Sequence, residues 1–290
     1  MFSREGVGIT LLGGGVNLVL AGLKLSLGAS FGSAALVADG VHSLTDLATD
    51  LVVIGGIRLA ARPADHTHAY GHGKFETLAG GLVAVALALA GGWLIWDAAQ
   101  ALSASSRPPG GLVLGIAFLS LVTKEWLFRL THRVASRLAS QALAANAWHH
   151  RSDAFSSGAV LLGGGAVLLG YPSGDRLAAL AVGALVILAA LRLVGRTLHE
   201  LSEGTLPEED RRRIVAAIEA VPGVKGWHRL RTRRVGRQSV VDVHLQVAPE
   251  LSVKEAHDIA TQVEEAVAAA LGGRVSVMVH VEPFFPTSAD

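Results

Sequence analysis

Two short patterns in this chain each place a histidine and an aspartate four residues apart inside a long apolar segment. They are His42 with Asp46, and His149 with Asp153. In an α-helix, residues four apart lie on one face, about one turn from each other. Ionisable groups at membrane depth are costly and usually mark an ion pathway. Two imidazoles and two carboxylates are a ligand set that suits a divalent transition metal such as Zn²⁺.

The alternative is that these four residues are unrelated buried polar groups that tie helices together. For a single residue the two explanations are about equally good. If the two segments cross the membrane in opposite directions, His42 comes to the depth of Asp153, and Asp46 to the depth of His149, at about 1.5 Å of rise per residue. Because all four then flank the midplane of a core about 30 Å thick, the pattern favours one shared site.

The composition identifies a polytopic membrane protein. Of the 290 residues, 51% are hydrophobic and only 17% are charged, and the mean hydropathy is +0.45. The apolar residues form continuous blocks, each approaching or exceeding the ~20 residues that a bilayer crossing needs. We predict six spans, at approximately residues 7–28, 33–60, 77–101, 110–130, 141–169 and 175–198. No clean cleavage site precedes the first span, so we expect it to be retained rather than removed as a signal peptide.

Charge and cysteine content exclude other classes of function. The net charge of +1 gives no electrostatic basis for nucleic-acid binding. There is no cysteine, so any metal must be held by histidines and carboxylates. Lysine and arginine cluster after the second, fourth and sixth spans, which predicts that both termini lie in the cytoplasm.

A small domain is predicted after the last span. Residues 207–221 have the pattern of a helix, and Val241, Val243 and Leu245 alternate with polar residues as in a half-buried strand. Ser252 with Glu255 forms the capping box of a second helix. The element order αββαβ predicts a ferredoxin-like α+β domain. We therefore expect a six-helix transmembrane domain at 1–206, this cytoplasmic domain at 207–285 and a tail at 286–290.

Further histidines lie outside the predicted spans. The loop after span 2 holds Asp65, His68 and His72, which could bind a second metal with His66 as a spare ligand; a solvated polar loop is the alternative. The cytoplasmic domain holds a set that favours a regulatory metal site, although any one of its histidines alone is typical of a surface: His228, His244, His257, His280 and Glu282.

Other polar residues in the spans have less certain roles. Asp39 and Asp50 could line a vestibule or act as structural hydrogen-bond partners. His150 points about 100° away from His149 on a helix, which favours a packing or interface role. Asn17 and Asn146 are expected at helix contacts.

Three motifs make the sequence resemble the cation diffusion facilitator family over nearly its whole length. They are DGVHSLTD at 39–46, YGHGKFE at 70–76 and WHHRSD at 148–153. The resemblance implies a homodimer in the membrane that exchanges cytosolic metal for external protons by alternating access, and it implies no enzymatic activity. It assigns transport to His42, Asp46, His149 and Asp153, and it assigns the loop and cytoplasmic sites to the two groups of residues given above.

The resemblance also bears on individual residues, on the metal and on the membrane. Family members often have aspartate where this chain has Glu282. Lys74 and Glu203 match a lysine–carboxylate clasp at the family's dimer interface. The His/Asp ligand type is similar to that of zinc transporters, with Fe²⁺, Mn²⁺, Cd²⁺ and Co²⁺ as alternatives. A non-transporting metal sensor is another alternative. The lack of a His-rich loop between spans 4 and 5 resembles bacterial plasma-membrane members.

Overall fold

The computed structural model describes residues 2–30, 34–100, 110–171, 173–272 and 274–285. The chain forms two compact units, Met1–Leu198 and His199–Asp290.

The first unit is built from six long helices, the last of which runs three residues past it. In chain order they are α1 (Phe2–Ser30), α2 (Ala34–Ala60), α3 (Lys74–Gln100), α4 (Gly111–Leu138), α5 (Gln141–Leu168) and α6 (Gly174–Leu201). Within the described residues, α1, α3, α4 and α6 are long and apolar enough to cross a membrane. The other two, α2 and α5, have 27 and 28 residues and carry the His/Asp pairs. The predicted helical membrane region is thereby confirmed.

The core of this unit lies where α2, α3, α5 and α6 meet. Val53 and Ile57 of α2 pack with Leu87 of α3, Leu143 of α5 and Ala190 of α6, and all five side chains are at most 2% exposed. Small residues allow the helices to approach closely. This core holds the helices on which the ionisable residues sit.

A two-residue turn joins α4 to α5. Helix α4 ends at Leu138, and Ala139 follows in the left-handed region with φ of 50°. Ser140 then caps α5, because its hydroxyl accepts a hydrogen bond from the Leu143 amide at 3.2 Å. The short turn makes α4 and α5 antiparallel neighbours, which brings side chains at equal distances from the turn to one level.

The second unit has the order helix–strand–strand–helix–strand. Its elements are α7 (Glu208–Glu219), β1 (Gly226–Val235), β2 (Gln238–Val247), α8 (Val253–Leu271) and β3 (Arg274–Pro283). The sheet order is β1-β2-β3, with β1 antiparallel and β3 parallel to β2. The predicted αββαβ fold is confirmed, and so is the capping box of Ser252 with Glu255.

The two faces of this sheet differ in chemistry. Val241, Val243, Leu245 and Val247 of β2 are buried, in one cluster with apolar residues of both helices such as Ile218 and Val263. The residues that alternate with them, among them Asp242, His244 and Gln246, project to the opposite face. The alternation therefore leaves the polar side chains of β2 on the face away from the helices.

Gly80 of α3 provides a test of the helix packing. A Cβ atom there would lie 3.0 Å from the carbonyl carbon and oxygen of Gln141, which are backbone atoms at the start of α5. We expect Gly80→Ala to destabilise the membrane unit by about 1–3 kcal/mol through overpacking. Gly92 of the same helix has no atom within 4 Å of its Cβ position. Gly92→Ala should therefore be neutral or stabilising by up to about 1 kcal/mol. Thermal unfolding of both variants in detergent measures the difference, and equal melting temperatures would contradict the predicted contact.

Candidate metal centre

Three of the four predicted intramembrane ligands form a compact group. Asp46 on α2 and the pair His149 and Asp153 on α5 offer ligand atoms that all lie within 4.8 Å of one another. His149 Nε2 lies 3.3 Å from Asp46 Oδ1 and 3.9 Å from Asp153 Oδ2. Donors about 2.1 Å from a tetrahedral zinc ion are about 3.4 Å apart. The spacing of these donors thus fits a small divalent cation.

His42, the fourth predicted ligand, lies on α2 one turn before Asp46. Its side chain, like that of Asp39, falls outside the side chains that the structure describes. Its role as a ligand remains a prediction from the spacing on α2.

Lys124 of α4 also belongs to this group, although the sequence patterns did not single it out. Its Nζ lies 2.7 Å from Asp153 Oδ2 and 3.2 Å from Asp46 Oδ2. Lys124 comes 15 residues before Ala139, and Asp153 comes 13 residues after Ser140. The short turn therefore brings them to nearly the same level. The available signal was the Lys124-Glu125 pair within an otherwise apolar stretch, since a charge at membrane depth needs a partner.

These charges are almost completely removed from solvent. Lys124 is 2% and Asp46 is 3% exposed, whereas Asp153 is 13% exposed at its side chain. A buried charge that loses its partner is strongly destabilising, typically by about 3–5 kcal/mol. The ammonium thus compensates the two carboxylates, and it holds α2, α4 and α5 together at this level.

A second polar group lies near the first. Asp50 is buried one turn beyond Asp46, and Asn17 donates a hydrogen bond from Nδ2 to Asp50 Oδ2 at 3.4 Å. His150 is fully buried, and a Cβ atom at Gly13 would lie 3.1 Å from its Nε2. Asp50 thus has a hydrogen-bond partner on α1, and His150 packs against α1 at Gly13.

The loop between α2 and α3 brings together Asp65, His68 and His72. Asp65 Oδ2 lies 3.4 Å from His72 Nε2, and Asp65 Oδ1 lies 3.6 Å from His68 Nδ1. Nδ1 of His72 donates to the carbonyl of Pro63 at 3.1 Å, so its Nε2 has the free lone pair. Two imidazoles and a carboxylate fit a resident zinc ion, and the donor to Pro63 is the kind of outer contact that orients a ligating histidine.

Hydrogen bonds also orient the Asp65 carboxylate. Its Oδ1 accepts from the Thr67 hydroxyl at 2.8 Å, from the Thr67 amide at 2.9 Å and from the His68 amide at 2.8 Å. These donors, the hydroxyl first, lower the pKa of Asp65 to about 2. The carboxylate is therefore ionised throughout the range in which histidine titrates.

The cytoplasmic unit aligns three histidines in a row across its sheet. His228 of β1 pairs with His244 of β2, which in turn pairs with His280 of β3. Successive ring centroids are 5.0 Å and 4.7 Å apart. Glu282, two residues further along β3, lies 2.8 Å from His228 Nε2, 2.7 Å from His244 Nδ1 and 3.5 Å from His280 Nε2.

The row fits a metal ion by its chemistry. Hydrogen bonds from His228 and His244 lower the pKa of the Glu282 carboxyl below its usual value, so it carries a charge at neutral pH. Imidazoles next to a carboxylate are zinc ligands. His228, His244 and Glu282 offer ligand atoms within 4.8 Å of one another, and the His280 ring lies beside that of His244.

Other predicted or spare ligands lie outside these clusters of ligand atoms, and His280 joins the row only through its contacts with His244 and Glu282. Within the described residues, exposed His257 on α8 and exposed His66 in the loop belong to no cluster of potential ligands. Glu203, one half of the predicted clasp, pairs with Arg233 Nε at 3.0 Å. The clasp between Lys74 and Glu203 remains a prediction about a dimer.

Comparison with known proteins identifies the family. The profile of the cation efflux transmembrane domain matches residues 10–202, and that of the cation efflux protein cytoplasmic domain matches residues 206–284. The chain belongs to the cation diffusion facilitator family. The resemblance inferred from the three motifs is thus confirmed.

Relatives in this family include plant and bacterial proteins. Metal tolerance protein C1 of Arabidopsis thaliana is 35% identical over 97% of this chain, and this chain spans 63% of its length. Cation-efflux pump FieF of Salmonella typhi is 32% identical, over 87% of this chain and 84% of its own length. Among solved structures, the nickel form of a MamM CTD variant is 38% identical; it covers 27% of this chain and 100% of that chain, with a TM-score of 0.26.

The loop carboxylate gives a test by titration. Thr67→Val removes the hydroxyl that contributes most to the low pKa of Asp65. We expect the pKa of Asp65 to rise from about 2 toward the ordinary value of about 3.9 without reaching it, because the backbone donors of Thr67 and His68 remain. Since the folded pKa is depressed, stabilisation by these bonds is complete above about pH 3.9 and disappears as the pH falls toward 2.

Carboxyl ¹³C NMR with labelled Asp and Glu measures the titration of Asp65 in the unaltered protein and in Thr67→Val. Glu255 serves as an internal reference, because its pKa is lowered by the hydroxyl and backbone of Ser252, not by the loop. An Asp65 titration that is the same in both proteins would contradict the assigned hydrogen bond.

Proposed function

We propose that this protein exports a divalent metal cation, most readily Zn²⁺, from the cytosol in exchange for external protons. The observation that carries the proposal is the group of Asp46, His149 and Asp153 on helices of the membrane unit. The relatives include a metal tolerance protein and a cation-efflux pump, and their names support export as the direction of transport.

The ligand chemistry favours zinc. Imidazole with carboxylate suits borderline cations and disfavours Mg²⁺, which prefers all-oxygen octahedral ligation. Fe²⁺, Mn²⁺, Cd²⁺ and Co²⁺ can use the same donors, and the affinity order alone does not separate zinc from them. We rank zinc first because two histidines, His42 and His149, would face two aspartates.

Proton exchange follows from the same donors. A metal binds neutral imidazole and ionised carboxylate, so its arrival from the cytosol releases protons from the site. When the site opens to the other side, protons return to His149 and the aspartates and lower the affinity for the metal. Imidazole suits this cycle because its ordinary pKa of about 6.5 lies near the pH of both compartments.

The loop group and the cytoplasmic row would bind regulatory zinc in a homodimer of the plasma membrane, with both termini in the cytoplasm. Bound zinc shifts the dimer toward one conformation only if that conformation binds zinc more tightly than the other. We infer that the cytoplasmic row, held by Glu282, acts in this way on transport.

Transport measurements test the intramembrane group. In proteoliposomes with a pH gradient, we expect Asp153→Asn to lower zinc uptake more than about tenfold, since a ligand is lost. Asp97→Asn is the matched control, because Asp97 is an exposed carboxylate of α3. Its uptake should equal that of the unaltered protein. Full uptake by Asp153→Asn would exclude the proposed site.

Competition with Fe²⁺, Mn²⁺, Cd²⁺ and Co²⁺ in this assay ranks the substrates. If another of these cations inhibits zinc uptake at a lower concentration than unlabelled zinc does, that cation and not zinc is the preferred substrate. Metal binding without any flux would favour the alternative, a metal-sensing partner that does not transport.

The cytoplasmic row generates a separate prediction. We expect His244→Ala with His280→Ala to abolish the stimulation of transport by zinc on the cytoplasmic side, while basal transport stays within about twofold, because the intramembrane ligands are unaltered. His257→Ala is the control, since that exposed histidine lies outside the row. Undiminished stimulation in the double variant would show that the row is not the sensor.

A further inference from the structure

We propose that Lys124 is a tethered competitor of the transported metal: its ammonium occupies the carboxylates when the site is empty and must leave when a cation binds. The proposal deepens the transport function above and rests on it. It assigns to Lys124 a part in setting affinity and release, rather than a part as a ligand.

The position of the ammonium is the first argument. Nζ lies 2.7 Å from Asp153 Oδ2 and 3.2 Å from Asp46 Oδ2, so it holds one oxygen of each carboxylate. A zinc ion binds carboxylate oxygens at about 2.0–2.2 Å. An oxygen bound at that distance cannot also hold the ammonium in its present position. Asp153 Oδ2 is also the oxygen that lies 3.9 Å from His149 Nε2, so the ammonium and a metal bound beside His149 compete for it.

Charge gives the second argument. Lys124 brings one positive charge to a site whose described carboxylates supply two negative charges, and it is only 2% exposed. A divalent cation that entered with the ammonium still in place would meet like-charge repulsion in surroundings of low dielectric constant. Binding thus includes the free-energy cost of displacing Lys124, and release is assisted by its return.

The neighbourhood offers the displaced ammonium an acceptor. Ser120 lies one turn before Lys124 on the same face of α4, is 1% exposed, and its hydroxyl has no hydrogen-bond partner within the described part of the chain. Helical side chains lean toward the N-terminus of their helix, and the lysine stem is long and flexible. Lys124 can therefore turn from the carboxylates toward Ser120 without leaving its helix.

A structural brace would behave in the opposite way. If Lys124 only held Asp46 and Asp153 in position, a neutral residue there would weaken metal binding. If it competes, the same change strengthens binding and slows release. The sign of the change in affinity distinguishes the two roles.

The experiment compares Lys124→Met with Lys124→Arg in the full-length protein. Binding of Zn²⁺ is measured by equilibrium dialysis, and the part abolished by Asp153→Asn is assigned to the intramembrane site. We expect the dissociation constant of Lys124→Met to fall about tenfold, with lower KM and lower maximal uptake in proteoliposomes. Lys124→Arg keeps the charge, so its dissociation constant should stay closer to that of the unaltered protein.

Arg129→Met is the control for loss of a cation from α4, because Arg129 is exposed and pairs with Glu125 at 2.8 Å. Its dissociation constant should be unchanged. Weaker or unchanged zinc binding by Lys124→Met would overturn the proposal. Since dialysis measures binding without flux, absence of transport by the unaltered protein would refute the proposed function and leave this test intact.

A measurement on the unaltered protein covers the case in which the Lys124 variants do not fold. The chain has five lysines, Lys24, Lys74, Lys124, Lys225 and Lys254, so ¹⁵Nζ signals can be resolved. Only Lys124 lies between Asp46 and Asp153 in the described structure. Zinc that fills the site should shift its signal, and a signal unchanged at saturation would overturn the proposal.

Discussion

The pairing of Lys124 with Asp46 and Asp153 is the interaction on which the membrane unit depends. Three charges lie among apolar helices, and none of them is stable there alone. Because the three residues come from α4, α2 and α5, their pairing fixes the level and the rotation of these helices together. The carboxylates proposed to bind and release the transported cation thus also hold three helices together.

The cytoplasmic unit meets a different constraint. Its sheet separates apolar from polar side chains by alternation alone, and His228, His244 and His280 lie on the face away from the helices. They are partly exposed, so water replaces any partner that is lost and the sheet does not depend on them. A metal bound there, as we propose, could enter and leave this row without disturbing the core. Because the core and the histidine row lie on opposite faces of the sheet, the fold can persist with or without a bound metal, as the proposed sensor requires.

Sequence patterns predicted the elements better than the contacts. Apolar blocks predicted the long helices, alternation predicted β2, and the capping box of Ser252 appeared as expected, because each depends on local physics. The spacing of Asp65, His68 and His72 also sufficed to group them, since one loop carries all three. Lys124 was missed, because its partners lie on other helices and are reached only through the turn at Ala139 and Ser140. The row of His228, His244 and His280 required the strand register, which includes an irregularity after His228.

If the loop binds a metal as we propose, the bond from His72 to the carbonyl of Pro63 affects the strength of that binding. Pro63 lies just after α2, and His72 just before α3, so the bond closes the loop across its full length. With the Thr67 contacts to Asp65, it restricts the ligands before any cation arrives. The conformational entropy that these side chains would otherwise lose on binding is then already lost during folding. A loop without these bonds would lose that entropy on binding a metal, whereas the proposed site of Asp65, His68 and His72 would be ordered beforehand.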